Sequence, residues 1–243
     1  MILAIRTAGD SEDALHAAVG EAKNSVLMTT RDGESPLTFP LRSLYLTHTT
    51  GDGKEEKILE LDAIKATAVA TDSRFAFACS NFDKGGGWVG LGVGVIAMNA
   101  GSKLAAAFRS RGQTLTGQVR YAWLSYVGGH SKTGWTDKER LVFATSFRQN
   151  GQTVRVRLEC GVTGDVDSST IAAEIARRAA RYRLEAGDGH DNEEERKGLE
   201  ELTRAQALTS TKGKYAIHEF PTNWHISEST ADLAAHIATG SSS

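Results

Sequence analysis

The stretch between Leu141 and Leu184 constrains the fold more than any other part of this chain. It begins with two runs in which apolar and polar residues alternate, and Asn150-Gly151 joins them. Alternation with a period of two is typical of strands, and Asn-Gly is the strongest short-range signal for a tight hairpin. A glycine-containing turn and an amphipathic helix follow. We therefore predict a unit of two paired strands and one helix.

A two-residue loop at this turn also predicts the register of the two strands. It places mainly apolar residues opposite each other on one face: Phe147 with Val154, Thr145 with Val156, Phe143 with Leu158, and Leu141 with Cys160. A slip by one residue would turn all of these side chains to the other face, so the pattern favours a single register.

The helix after the hairpin is predicted over residues 170–185. Asp167 and Ser168 are both residue types that cap helix N-termini. Four apolar residues recur at helical spacing and form one stripe, as expected for a helix that packs on a sheet. They are Ile171, Ile175, Ala179 and Tyr182.

Further strands and short helices are predicted on both sides of this unit. The predicted strands cover residues 25–30, 35–39, 41–47, 58–70, 74–82, 118–127 and 215–220. Phe75, Phe77 and Cys79 share one face of residues 74–82, which predicts a second hairpin with the strand before it. Short helices are predicted over residues 12–23, 199–208 and 230–238.

By composition, the chain divides into one main domain and smaller parts. Residues 1–24 are predicted to be an N-terminal extension with a short helix, and residues 25–186 to be the main domain. A glycine-rich helical insertion is predicted at residues 85–112. Residues 187–198 predict a polar linker, because they cannot bury enough apolar surface to become ordered. Residues 199–243 predict a small helical appendage.

Net charge, cysteine content and the N-terminal sequence indicate which partners and which cellular compartment to expect. The 28 basic and 30 acidic residues give a net charge of -2, so we expect no nucleic-acid partner. Cys79 and Cys160 lie in phase with apolar residues of predicted strands, which favours buried thiols over a disulfide. The first 31 residues lack the pattern of a targeting peptide. We predict a cytoplasmic protein and leave peripheral membrane contact open.

Residues 66–77 form an alternating strand, a Thr-Asp-Ser-Arg turn and a second strand, and residues 141–182 form a hairpin and helix. Together these segments resemble the bacterial pleckstrin-homology-like family, which includes GRAM-like domains. The resemblance extends over about residues 25–186. It implies a mainly β (α+β) fold, an antiparallel, partly open barrel or sandwich capped by a C-terminal helix. It also implies a module that binds lipid headgroups or peptides without catalysis.

The insertion at residues 85–112 departs from that family pattern and is a candidate contact surface. Its glycines at positions 86, 90 and 94 recur every four residues, which would leave one helical face open to close contact. The candidate membrane or subunit contacts are Gly86, Trp88, Gly90, Gly94, Lys103, Arg109 and Arg111. We favour a helix packed on its own sheet. Partial membrane insertion, helix pairing between subunits and a membrane span stay open as alternatives.

Six arginines form the candidate ligand-binding set. They lie on the polar sides of the predicted hairpin and helix: Arg148, Arg155, Arg157, Arg177, Arg178 and Arg181. Arginine suits phosphate and carboxylate groups because its planar guanidinium donates two hydrogen bonds at once. The alternative, which we favour, is that these arginines are ordinary solvent-facing charges.

The sequence contains no common catalytic or metal-binding motif. H-E-x-x-H, C-x-x-C, G-x-S-x-G and the P-loop are all missing. The G-x-G-x-x-G spacing at residues 85–90 follows hairpins instead of opening a βαβ unit, so we predict no nucleotide cofactor. His218 and His225 lack further ligands nearby in the sequence, and we predict no metal site.

These observations predict a non-enzymatic binding module that recognises a membrane surface, an anionic headgroup or a peptide. The alternative is a structural or assembly protein that uses the glycine-rich helix and strand edges for association with another protein or with itself. An enzyme of an unfamiliar type is a third hypothesis, because a cleft of titratable groups cannot be seen in a linear sequence.

Overall fold

The computed structural model describes residues 1–7, 18–20, 26–27, 33, 35–49, 53–79, 113–132, 134, 138–149, 152–189 and 191–221. The strands in these ranges are β1 (Ile2–Thr7), β2 (Ala18–Val19), β3 (Val26–Leu27), β4 (Leu37–Thr49), β5 (Glu55–Leu61), β6 (Ala66–Ala70), β7 (Arg74–Cys79), β8 (Gln113–Arg120), β9 (Leu124–His130), β10 (Arg140–Gln149), β11 (Gln152–Val162) and β12 (Ala216–Glu219). The helices are α1 (Ser168–Glu185) and α2 (Glu193–Leu202), and a 3-10 turn spans Tyr121–Trp123.

Ten of these strands form one antiparallel sheet with the order β1-β8-β7-β6-β4-β11-β10-β9-β12, in which β5 also pairs with β4. The long strand β4 makes this branching possible. Its residues 37–41 pair with β6 and its residues 44–49 pair with β5, while β11 pairs along its other edge. Within the described residues, β1 and β12 end the sheet without meeting. The fold is therefore mainly β and antiparallel, as predicted, and the sheet in these ranges is open.

Both predicted hairpins are confirmed. In β10 and β11, Phe147 faces Val154 and Phe143 faces Leu158, so the register is the one that the alternation predicts. The Asn150-Gly151 turn itself lies outside the described residues. In the second hairpin, Ala68 of β6 faces Phe77 of β7.

The main core lies between one face of the sheet and α1. The helix begins at Ser168, two residues before the predicted start, and the Asp167 side chain accepts a hydrogen bond from the backbone N–H of Ser169. Ile175 and Ala179 of the predicted stripe are fully buried. They share a cluster with Phe143 of β10 and with both cysteines, which are free and buried as predicted.

Two predictions for the N-terminal region are wrong. A helix is predicted over residues 12–23, but Ala18–Val19 form the strand β2, which pairs with β3. Val19 is 2 % exposed, so pairing and burial outweigh its local preference. Residues 8–17 and 21–25 lie outside the described part. In addition, β1 pairs with β8 along its whole length, so it belongs to the main sheet and not to a separate extension.

Two long predicted strands are each divided in the structure. Residues 118–127 end β8, pass through the 3-10 turn and start β9. The break is required because β8 lies beside β7 whereas β9 lies beside β10, near the other end of the sheet. Residues 58–70 are divided between β5 and β6 around Ala63, which has a positive φ of 53°.

The predicted polar linker is wrong over residues 193–198, which begin α2. The Asn192 side chain accepts hydrogen bonds from the backbone N–H groups of Glu194 and Glu195 and so caps the helix. Acidic residues in the first turn also suit the helix dipole, and the fully buried Leu199 anchors α2 to the core.

The chain after α2 docks on the main sheet, because β12 pairs with β9 as its last strand. The strand predicted at residues 215–220 is thus confirmed, although it continues the main sheet instead of forming a separate unit. The helix predicted over residues 230–238 and the glycine-rich insertion at residues 85–112 lie outside the described residues.

Candidate functional site

The sheet has a second face, opposite α1, which we call the outer face. In β11, Val156, Leu158 and Cys160 are buried in the main core. The alternate residues Arg157 and Glu159 therefore point to the outer face, because successive side chains of a strand point to opposite sides. This face carries a cleft.

A cleft of about 610 Å³ opens where β4, β10 and β11 lie side by side. Its charged and phenolic lining comes from three cations, two carboxylates and one tyrosine. These residues are Arg42, Lys138, Arg140, Asp62, Glu159 and Tyr45. They come from four separate parts of the chain, which the antiparallel pairing brings together.

Arg42 reaches this cleft because β4 contains a β-bulge. Gly161 pairs with Ser43 and Val162 pairs with Leu41, so Arg42 is an extra residue in the ladder between β4 and β11. Bulges of this kind redirect a side chain and are common next to functional sites. Leu41 and Leu44 both remain buried, while the Arg42 side chain lies across Gly161.

Two backbone features shape the cleft. A Cβ atom at Gly161 would lie 2.2 Å from Ser43 Oγ and 3.2 Å from Arg42 Cγ, so a larger residue there would require both side chains to move. At the rim, Ala63 has a left-handed backbone with φ of 53°, which residues with a side chain rarely adopt. The following residue, Ile64, donates its N–H to the Arg42 carbonyl oxygen at 2.8 Å. Such strain is concentrated at functional sites.

Some of the charges in the cleft form ion pairs with described residues, and others do not. Glu159 binds Arg157 at 2.9 Å and Arg140 at the longer distance of 3.4 Å. Arg42 makes no ion pair with any residue that the structure describes. With three cations and two carboxylates in the lining, the cleft carries an excess positive charge next to Arg42. It can therefore accept an anionic group.

Beside the cleft, Arg157 lies over an aromatic side chain. Its guanidinium carbon is 5.6 Å from the centre of the Tyr215 ring, a cation–π geometry. Burial, together with the neighbouring Glu159, raises the pKa of Tyr215, so its phenol stays protonated at neutral pH. Arg157 and Glu159 therefore form a packed polar layer that fixes one wall of the cleft.

The arginines predicted as ligand-binding residues lie on two different sides of the molecule. Arg155 and Arg157 are on the outer face of β11, and Arg148 is in β10. The helical set lies on α1, across the core from them: Arg177, Arg178 and Arg181. One ligand group could not contact both sets.

On α1, two of these arginines already have partners within the protein. Glu174 binds Arg177 at 2.6 Å and Arg178 at 2.7 Å. Arg177 also donates to the carbonyl oxygen of Ala205, and Arg178 donates to that of Ser35 at 3.1 Å. Arg181 is exposed. The candidate contacts Gly86, Trp88, Gly90, Gly94, Lys103, Arg109 and Arg111 lie outside the described residues.

The sequence alone does not identify Arg42, Lys138 and Arg140 as a group. One local signal for Arg42 exists: Leu41 and Leu44 are three residues apart, which breaks the alternation of β4 and indicates a bulge. No local signal links Arg42 to Lys138 and Arg140, because their proximity depends on the order of the strands.

In the ranges that the structure describes, no group of three or more His, Cys, Asp or Glu side chains is arranged to hold a metal ion. In the same ranges, no helix combines the length and the apolar character needed to cross a bilayer.

Comparison of the chain with protein-family models, with curated proteins and with solved structures found no match in any of the three.

Proposed function

We propose that this protein is a binding module whose outer-face cleft holds an anionic group, either a phosphate or a carboxylate, of its ligand. The observation that carries the proposal is the position of Arg42, redirected by a bulge into a cleft that Lys138 and Arg140 also line. An arginine without a carboxylate partner in the described part of the chain has its donors available for a planar or tetrahedral anion.

The described lining of the cleft favours binding over catalysis. It contains the hydroxyl groups of Ser43 and Tyr45, but neither a histidine nor a cysteine. A serine needs an adjacent base to become a nucleophile, and among the described residues neither cleft carboxylate, Asp62 or Glu159, hydrogen-bonds to Ser43. We therefore propose a non-enzymatic role.

The resemblance to pleckstrin-homology-like domains is compatible with this proposal, because that family binds lipid headgroups and peptides. An open antiparallel sheet with one long helix across its core supports the same architecture. Under this proposal the protein is cytoplasmic and contacts a membrane surface through a phosphorylated headgroup held by the cleft.

The test uses the full chain with two probes that share the same chemistry. Flotation with vesicles containing phosphatidylinositol phosphates reports a membrane-bound headgroup, and calorimetry with soluble inositol hexakisphosphate reports a free phosphate compound. We expect Arg42→Glu to weaken binding to the preferred probe by about tenfold or more, because it places a carboxylate beside the anion.

Arg155→Glu is the matched control, since it makes the same charge change on the outer face but outside the cleft. We expect it to have little effect. Equal losses in both variants would indicate a diffuse electrostatic attraction and would contradict the cleft as the site. Failure of the unmodified chain to bind either probe would contradict the proposed phosphorylated headgroup as the ligand of the cleft.

A further inference from the structure

A second groove, of about 890 Å³, lies between α2 and β12, away from the outer-face cleft. Its apolar surface consists of Leu202, Ala205, Leu208, Phe220 and Pro221. Leu208 is 43 % exposed, more than any other large hydrophobic residue in the described part of the chain. An apolar groove of this kind beside a helix suits the apolar face of a second helix.

The charge at the edges of the groove is negative. Glu194, Glu201 and Glu219 line it and are exposed, and none of them makes an ion pair with a described residue. By contrast, two glutamates of α2 that lie outside the groove form ion pairs. Glu193 pairs with Lys197 at 3.2 Å and Glu200 pairs with Arg196 at 2.9 Å. The chain therefore neutralises the outer side of α2 but leaves the groove side acidic.

A buried histidine supplies a second, independent feature. His218 of β12 lines the groove and is 7 % exposed, and its Nε2 atom has no hydrogen-bond partner within the described residues. Buried polar atoms in folded proteins nearly always have a partner. Burial, and to a smaller extent Arg177, lowers the pKa of His218, so the imidazole is neutral at pH 7. The imidazole therefore adds no positive charge to the acidic groove.

We propose that this groove binds a cationic amphipathic helix of a partner protein. The apolar side of that helix would cover Leu202, Leu208 and Phe220, and its Lys or Arg residues would meet Glu201 and Glu219. This inference is independent of the anion-binding cleft, which lies on other elements.

Charge favours such a partner over two other possible occupants of the groove, the C-terminal residues of the chain and a second copy of it. Residues 222–243 of the chain follow Pro221 directly, but they contain two acidic residues, Glu228 and Asp232, and neither Lys nor Arg. They therefore offer the glutamates no Lys or Arg partner. A second copy of the chain carries a net charge of -2, and so offers no general attraction to an acidic groove either.

The experiment measures binding of two synthetic peptides to the full chain by fluorescence anisotropy. Both peptides have leucines at helical i, i+3, i+4 and i+7 spacing, and their flanking positions are Lys in one and Glu in the other. We expect the Lys peptide to bind at least about tenfold more tightly than the Glu peptide, since like charges across an interface are strongly unfavourable.

Adjacent residues of α2 supply the matched variants. Glu201→Lys should weaken binding of the Lys peptide by about tenfold, because it reverses a charge in the groove. Glu200→Lys makes the same change outside the groove and should leave binding within about twofold. Leu208→Ser should also weaken binding, since it removes apolar contact area from an exposed position that the fold does not need.

Three results would overturn the proposal. The first is no binding of the Lys peptide to the full chain. The second is an equal loss in Glu200→Lys and Glu201→Lys, which would indicate only a mean electrostatic effect. The third is concentration-dependent self-association in light scattering that Glu201→Lys abolishes, which would assign the groove to a second copy. Arg42→Glu should leave peptide binding unchanged.

Discussion

At the scale of single residues, Arg183 is the most consequential charge in the described core. Its side chain is fully buried, yet it binds Asp188 at 2.6 Å and Glu195 at 3.0 Å. It also donates to the carbonyl oxygen of Pro221 at 3.0 Å. One guanidinium therefore joins the end of α1 to the start of α2 and to the chain after β12.

Arg183→Leu should lower the free energy of unfolding by roughly 3–5 kcal/mol, because it leaves two largely buried carboxylates without their cation. Urea unfolding followed by circular dichroism measures this change. Arg181→Leu, on the exposed side of the same helix, should stay within about 0.5 kcal/mol of the unmodified chain. Equal effects of the two substitutions would show that the buried ion pairs contribute little.

The sequence position of Arg183 indicates that its side chain is buried. Position 183 continues the four-residue spacing of Ile171, Ile175 and Ala179, so it lies on the buried stripe of α1. Arg177, Arg178 and Arg181 depart from that spacing. Helical period alone separates the buried arginine from its neighbours, but it does not identify Asp188 and Glu195 as partners.

At the scale of elements, the position of α1 on the sheet depends on close contact with β9. A Cβ atom at Gly129 of β9 would lie 2.3 Å from the carbonyl oxygen of Ser168 and 2.6 Å from the Cα atom of Ser169. Both contacts are with helix backbone, which cannot move aside as a flexible side chain can. The first turn of α1 can approach β9 only because residue 129 is glycine.

Gly129→Ala should therefore displace the N-terminus of α1 and lower the free energy of unfolding by roughly 1–3 kcal/mol or more, as overpacking does in well-packed cores. Thermal and urea unfolding measure the loss. Gly134→Ala is the control, because a Cβ atom there meets nothing within 4 Å. If Gly129→Ala were as mild as the control, the helix would have room to shift without cost.

At the scale of the whole molecule, titratable groups on separate elements respond to acid in the same direction. Burial raises the pKa of Asp167, but hydrogen bonds from Ser131 and Thr170 outweigh burial and hold that pKa below its ordinary value. Burial likewise raises the pKa of Glu174, and its hydrogen bonds to two arginines of α1 outweigh burial and lower it. A carboxyl with a lowered folded pKa stabilises the fold above its unfolded pKa of about 4, and this contribution is lost as pH falls through the folded value.

His218 acts at higher pH with the same sign. Its pKa is lower in the folded than in the unfolded chain, so unfolding takes up a proton once the pH falls below about 6.5. Stability from the neutral imidazole is therefore present above that pH and declines on acidification toward the folded pKa. His218→Gln should make stability depend less on pH between about 7.5 and 5.5. Urea unfolding measures the change in the free energy of unfolding between these two pH values. Comparing this change in the variant and in the unmodified chain cancels the contribution of all other titratable groups. The same change in both proteins would contradict the role of His218.

The sequence by itself determined those features that depend on near neighbours. Alternation and Asn-Gly specified the register of β10 and β11, and the helical period specified the buried stripe of α1. Both patterns can be read from the sequence because they depend only on residues two to four positions apart, which share one face of a strand or helix. The polar composition of residues 187–198 predicts a linker, which is wrong for residues 193–198. An Asn cap and a buried ion pair order this segment although it has few apolar residues.

Only the tertiary structure decided which strands became neighbours and where the sites lie. The cleft combines Arg42, Asp62, Arg140 and Glu159, which meet because β4 lies beside β11 and β11 lies beside β10. The separation of β8 from β9 across the sheet is decided at the same level. Strand order is a long-range property, set by which arrangement buries the apolar faces of all strands at once, and no local pattern in the sequence carries it.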